Sequence, residues 1–161
     1  CCSRRLGPRR APRCERFPRM TQASLAPITA RIQVRWNDAD QLGHINNAVY
    51  FTYGAYARMS LIEQALGRGA WGNCVAARIE IDYLREIPGD YAEVRVTSGV
   101  LRIGNSSVRT REEALLEDGT VAARIEAVIV FRNLETGKSR PLTPEERAGL
   151  EQYVLPEEPE V

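Results

Sequence analysis

The sequence predicts an α+β domain in which a five-stranded antiparallel sheet wraps around one long central helix, with a short helix near the C-terminus. Three observations predict it. Residues 47–66 are apolar around nearly the whole helical circumference, and such a helix must be enclosed on most sides. The segments on either side of it alternate polar and apolar residues with the period-two pattern of half-buried strands. The links between the later segments are short and rich in Gly, Asn, Asp and Pro, which suits hairpins and is too short for parallel crossovers.

Taken in order, residues 28–36 place Ile32, Val34 and Trp36 on one face and Arg31, Gln33 and Arg35 on the other, a first strand. A polar loop, NDADQLGHINN, leads into the helix, and Gly67 stands where a C-terminal cap belongs. Residues 75–84 set Ile79, Ile81 and Tyr83 against Arg78, Glu80 and Asp82. Pro88-Gly89-Asp90 then supplies a turn from which a meander is expected. Residues 91–102 and 106–116 flank a Gly104-Asn105 turn, and Asp118-Gly119 is the next hairpin signal. Residues 120–132 carry Ile125, Ala127, Ile129 and Phe131 on one face and Val128 and Val130 on the other, the pattern of a strand inside the sheet. Thr143, Pro144 and Glu146 combine an N-cap, a first-turn proline and a capping-box glutamate, so a short helix is expected to run to about Tyr153, with a frayed tail LPEEPEV. No internal repeat is visible.

The 161 residues fit one domain, 20–161, with 22 basic against 21 acidic side chains. That balance gives no support to nucleic-acid or membrane-surface binding. The apolar stretch 48–66 is broken by Thr52, Arg58, Ser60, Glu63 and Gln64, which suits a buried helix and not a membrane span. Residues 1–19 are rich in Arg and Pro without hydrophobic periodicity. They are expected to be a disordered extension foreign to the domain, with translation starting at Met20; an Arg-rich targeting peptide is the alternative. Cys1, Cys2 and Cys14 fall in that extension, leaving Cys74 alone in the domain. This excludes a disulfide framework and fits a cytoplasmic setting.

The loop before the helix concentrates the chemistry: Asp38, Asp40, Asn46, Asn47 and the chain's single histidine, His44. Gly43 permits a tight turn, and the unpaired amides and positive dipole end of the helix face that loop. A carbonyl oxygen gaining negative charge is stabilised in such a place. Simpler roles compete: Asn46 or Asn47 is a good N-cap, and a lone histidine is commonly structural. Asp38 and Asp40, two apart, share a face of an extended stretch, as a metal site would require. As an EF-hand loop, however, the segment puts Leu42 and Val49 where oxygen ligands belong. No metal is expected.

Residues and spacing alone lead to an α+β domain with a polar site before a helix. The stretch VRWNDADQLGHINNAVYFTYGAYAR, however, resembles the opening motif of the hotdog thioesterases of the 4-hydroxybenzoyl-CoA thioesterase-like family, and ARIEIDYLREIPGDYAEVRV and GNSSVRTREEALLEDGTVAARIEAVIVF resemble its later strands. The resemblance covers about residues 28–132. It implies hydrolysis of acyl-CoA to free acid and CoA, no cofactor beyond the CoA of substrate and product, and a homodimer or homotetramer with the site at the interface. By the same resemblance Asp40 is the catalytic carboxylate, either nucleophile or general base, and Asp38 is structural. The Asn47 backbone amide polarises the carbonyl, and Gly43, Asn46 and Tyr50 contact substrate. The GHINN segment is also similar to plant acyl-carrier-protein thioesterases, which implies a supporting role for His44, although Leu42 replaces their catalytic Asn.

Tyr50, Phe51 and Tyr53 are candidates to line an acyl pocket. Arg85, Arg102, Arg109, Arg111, Lys138 and Arg140 are available for the phosphates of CoA. An acyl-carrier-protein thioesterase and a non-catalytic acyl-binding module are the competing readings.

Overall fold

The computed structural model describes residues 25–156; the expectations for residues 1–19 lie outside them. Strand β1 (Ile28–Gln33) precedes helix α1 (Asn47–Leu66). Strands β2 (Cys74–Tyr83), β3 (Glu93–Ile103), β4 (Ser107–Leu115) and β5 (Val121–Phe131) follow, and helix α2 (Pro144–Glu151) comes last. All pairings are antiparallel, and the sheet order is β1-β3-β4-β5-β2.

Two expectations for the strands change. Strands β3, β4 and β5 do form a meander, but β2 does not hairpin onto β3; it crosses to the far edge and pairs with β5, from Cys74 opposite Phe131 to Tyr83 opposite Ala123. The Pro88-Gly89 turn belongs to a crossing segment anchored by the fully buried Ile87, not to a tight hairpin. Strand β1 ends at Gln33, and although alternation of burial continues through Val34 and Arg35, Trp36, expected on the inner face, is 97% exposed. The cause is Asp38, whose buried carboxylate draws the chain into a short 3₁₀ turn over Trp36–Asp38 and reverses the phase.

The concave face of the sheet holds α1. Val94, Val96, Val108, Ala114, Ile129 and Phe131 point inward and are buried, as are Tyr53, Ala57, Leu61 and Ile62 of the helix. Gly54 marks the closest approach: a Cβ there would lie 2.8 Å from Ile125 Cδ1, so the helix sits on β5 only without a side chain. Enclosure is nonetheless incomplete, because Phe51 and Tyr56 remain 50% and 45% exposed. Helix α1 begins at N-cap Asn46 and ends at Gly67, whose φ of 96° needs a residue without Cβ strain. The expected capping box at Thr143 and Glu146 is present, but α2 stops at Glu151. Leu155, expected to be frayed, donates its N–H to Val100 and packs over Gly99.

One polar pair interrupts the apolar core. Arg58 of α1 meets Glu112 of β4 at 2.5 Å, both side chains inaccessible to solvent, and Ser98 Oγ donates to the same carboxylate at 3.2 Å. Along α1 and β4 this pair separates one apolar cluster around Leu61, Ile129 and Phe131 from another around Tyr53, Val96 and Ala114. Burial raises the Glu112 pKa from 4.5 to about 7, against the opposing charge of Arg58 and the hydroxyls of Thr110 and Ser98. A raised folded-state pKa stabilises the fold below the unfolded value and loses that contribution as pH climbs through the folded one. Stability is therefore expected to fall between pH 4.5 and about pH 7, and Glu112→Gln to flatten that slope in urea titrations. Glu112→Ala strands a buried guanidinium and is expected to cost about 3–5 kcal/mol at neutral pH, most of it recovered by the Arg58→Met, Glu112→Leu double variant.

Candidate active site

The loop from Arg35 to Asn46 is pinned at both feet by Asp38. Its carboxylate, 1% exposed, accepts the Arg35 N–H at 2.9 Å, the Arg35 guanidinium at 3.0 Å and the Tyr53 hydroxyl at 2.8 Å. Its backbone carbonyl accepts the N–H of the N-cap Asn46 at 2.8 Å. Burial pushes the Asp38 carboxyl upward, but the Arg35 amide and guanidinium and the Tyr53 hydroxyl together hold it below 3.8. Burial and the bond to Asp38 raise the Tyr53 phenol in turn, so Tyr53 stays a donor.

Between those feet the loop closes tightly. Asp40 N–H donates to the His44 carbonyl at 2.9 Å and Gly43 N–H to the Asp40 carbonyl at 3.1 Å, with Gly43 at φ 82°. Leu42 N–H holds Asp40 Oδ1 at 2.8 Å, which orients the carboxylate, and among the described residues no donor meets Oδ2. The crossing segment after β2 runs alongside: Ile45 N–H donates to the Ile87 carbonyl, Gly89 N–H donates to the Gly43 carbonyl, and His44 bridges to Pro88.

These two segments, the start of α1 and the end of β2 enclose a cleft of about 260 Å³ lined by Asp40, Leu42, His44, Asn47, Tyr50, Tyr83, Arg85 and Glu86, among others. Five residues singled out in the sequence, Asp40, His44, Asn47, Tyr50 and Arg85, thus share one cavity. Asn46 is the N-cap: its side-chain oxygen accepts the Ala48 N–H at 2.9 Å. The Asn47 N–H is the first amide of the helix, one of those with no acceptor inside it. Tyr83 Oη donates to the Asn47 carbonyl at 2.9 Å, and its ring meets Tyr50 edge-on at 5.3 Å. Tyr50 is buried, and burial raises its phenol above the ordinary value. Of the other aromatic candidates, Phe51 faces outward, and Tyr53 serves Asp38.

Sequence reasoning missed Glu86 and Tyr83 as members of the site. Glu86 Oε2 lies 3.2 Å from His44 Nε2, so a carboxylate stands beside the imidazole at the cleft. No signal in the spacing marks Glu86, because the hairpin reading of Pro88-Gly89 sent β2 away from the helix start. Among the described residues no three His, Cys, Asp or Glu side chains gather as metal ligands, and no helix is long and apolar enough to cross a membrane.

Residues 34–150 match the sequence profile of the thioesterase-like superfamily. The chain belongs to that family. Among its relatives is the uncharacterized protein YsmA of Bacillus subtilis, 27% identical over 122 residues, which span 74% of this chain and 82% of YsmA. A Thermus thermophilus thioesterase solved with coenzyme A and Zn superposes with a TM-score of 0.69 at 33% identity, covering 76% of this chain and 95% of that one. A predicted thioesterase of Bacillus stearothermophilus gives 0.67 at 33% identity, over 81% and 98% of the two chains. The hotdog architecture expected from the opening motif is the one observed, a sheet of five antiparallel strands around α1.

Within this thioesterase-like site, two substitutions probe the framework. Tyr53→Phe removes one donor from a buried carboxylate and is expected to lower stability by about 1–3 kcal/mol, read from the denaturant midpoint. At Gly89 a Cβ would stand 2.6 Å from Ala39 Cβ and 3.0 Å from the Gly43 carbonyl. Gly89→Ala is therefore expected to shift the amide resonances of Asp40 and Gly43 while those of β3 and β4 stay in place.

Proposed function

We propose that this chain hydrolyses acyl-CoA thioesters to the free acid and CoA, with Asp40 as the reacting carboxylate. The observation that carries the reading is the placement of Asp40 at the mouth of α1. One oxygen is fixed by the Leu42 amide, the other meets no donor among the described residues, and Asn47, which carries the first helix amide, lines the same cleft. A thioester carbonyl laid against the helix start has its oxygen on the Asn47 N–H, where the orphan amide and the helix dipole stabilise the charge that develops in the tetrahedral transition state. The carbon then faces Asp40 Oδ2. That oxygen either attacks to form an acyl-enzyme anhydride, later opened by water, or removes a proton from a water that attacks; in both cases the carboxylate reacts ionised and the thiolate of CoA departs. His44, beside Glu86, supports the site from its rim. Gly43 and Asn46 shape the turn and the helix start that the substrate contacts.

The relatives support the acyl-CoA substrate through the coenzyme A held by the Thermus protein. The free Cys74 is in keeping with a cytoplasmic setting. A homodimer or homotetramer is the assembly we favour: β2 is a sheet edge, and Phe51, Tyr56, Val75, Tyr83 and Leu84 stay exposed on a single chain. Together they leave an unpaired strand next to an uncovered helix flank.

Asp40→Asn is expected to retain the circular dichroism and melting profile of the parent while thiol release from acyl-CoA falls by about 10²–10⁴-fold. Unchanged turnover in that variant would remove Asp40 from the chemistry, and ligand binding without turnover in the parent would favour an acyl-binding module. Light scattering at micromolar concentration is expected to give the mass of two or four chains; a fully active monomer would contradict the assembly.

A further inference from the structure

Among the described cations, Arg85 stands apart by its place in the cleft. Arg109 and Arg111 are both tied to Glu126, Arg140 to Glu146 and Arg124 to Glu113. Arg31, Arg35, Arg58 and Arg78 have carboxylate partners of their own. Arg102 is the penultimate residue of β3, and Lys138 follows β5. Both therefore lie at the end of the sheet opposite Asp40, which sits where β1 ends and β3 begins. Arg85 lines the cleft with Asp40, His44 and Asn47, and it is the single Lys or Arg among the residues that line it. Its side chain makes no ion pair among the described residues; Asp118, whose carboxylate is held by the Thr120 amide, is only within electrostatic range.

The backbone at this point is fixed. Leu84 N–H and Arg85 N–H both donate to the Ala122 carbonyl, at 2.8 and 2.9 Å. Two residues thus face one on β5, a local bulge of the kind that re-aims side chains next to active sites. Beyond it Glu86 lies near His44 and Ile87 is buried, and Arg85 is left as an exposed residue on the rim.

We propose that Arg85 binds a phosphate of the thiol-bearing carrier and so determines which thioesters the cleft accepts. The inference rests on the thioesterase reading above. The cleft otherwise presents Asp40 and Glu86, two carboxylates that repel an incoming polyanion, and one unpaired guanidinium at the rim offsets that repulsion with charge-assisted, bidentate bonds. The same chemistry is offered by the nucleotide phosphates of CoA and by the 4′-phosphate that joins a pantetheine arm to a carrier protein.

The test is steady-state hydrolysis of one acyl group carried on CoA, on 4′-phosphopantetheine and on phosphate-free pantetheine, by the parent, Arg85→Gln and Arg85→Lys. Arg85→Gln is expected to raise KM for acyl-CoA at least tenfold with kcat little changed, to leave acyl-pantetheine unaffected, and to be partly rescued by Lys. A loss that persists on acyl-phosphopantetheine puts the contact on the phosphate shared with carrier proteins. A loss confined to acyl-CoA puts it on the nucleotide. An equal KM change on acyl-pantetheine, or no change on any carrier, overturns the proposal. If the parent hydrolyses none of the three, the thioesterase reading fails by itself, and calorimetric titration with CoA still decides Arg85. Binding weakened tenfold by Arg85→Gln upholds the phosphate contact; equal binding, or none by the parent, ends it.

Discussion

A carboxylate that is out of water must be surrounded by donors, and Asp38 meets that demand by drawing three parts of the chain to one point. The end of β1 supplies Arg35, the second turn of α1 supplies Tyr53, and the N-cap Asn46 closes on its carbonyl. Everything between Asp38 and Asn46 is then a short loop with fixed ends, so the position of Asp40 over the helix start follows from the needs of its buried neighbour. The two acidic residues differ accordingly: both oxygens of Asp38 are held by protein donors, whereas Asp40 has one oxygen that meets no donor among the described residues.

The second determinant is topological. Because β2 crosses to the far edge and pairs with β5, the connection from β2 to β3 must traverse the mouth of the sheet. It does so against residues 43–45, and it brings Tyr83, Arg85 and Glu86 to a helix end that neither β1 nor the loop would reach. The absence of a side chain at Gly89 lets the two segments touch. The cleft is in this sense a by-product of strand order.

Much of this was legible in the residues. The circumferentially apolar helix, the capping residues Asn46, Gly67 and Thr143, and the alternation in β2 to β5 all express local physical rules, and the structure follows them to within a few residues. Asp40, His44 and Asn47 stood out because polar residues rarely crowd before such a helix. The partner of β2 did not stand out, because a period-two pattern specifies which face is buried and says nothing about which neighbour supplies the hydrogen bonds. Trp36 departs from its expected face for a related reason: alternation cannot carry into a turn that Asp38, two residues on, fixes through tertiary donors. Glu112 was hidden as well, since a single acidic residue on the inner face of β4 has meaning only beside Arg58, far away in the sequence.

The edge position of β2 also has a consequence for biosynthesis. Its hydrogen-bonding partner β5 is made after two intervening strands, so about 40 residues must follow β2 before pairing can begin, a delay of a few seconds at typical elongation rates. During that interval the inward residues Ile79 and Ile81 have no sheet to join, and the strand is open to any other extended segment. The outward residues Arg78, Glu80 and Asp82 carry charge at every second position, which discourages such pairing. The alternation that marks β2 as a strand therefore also guards it on the ribosome.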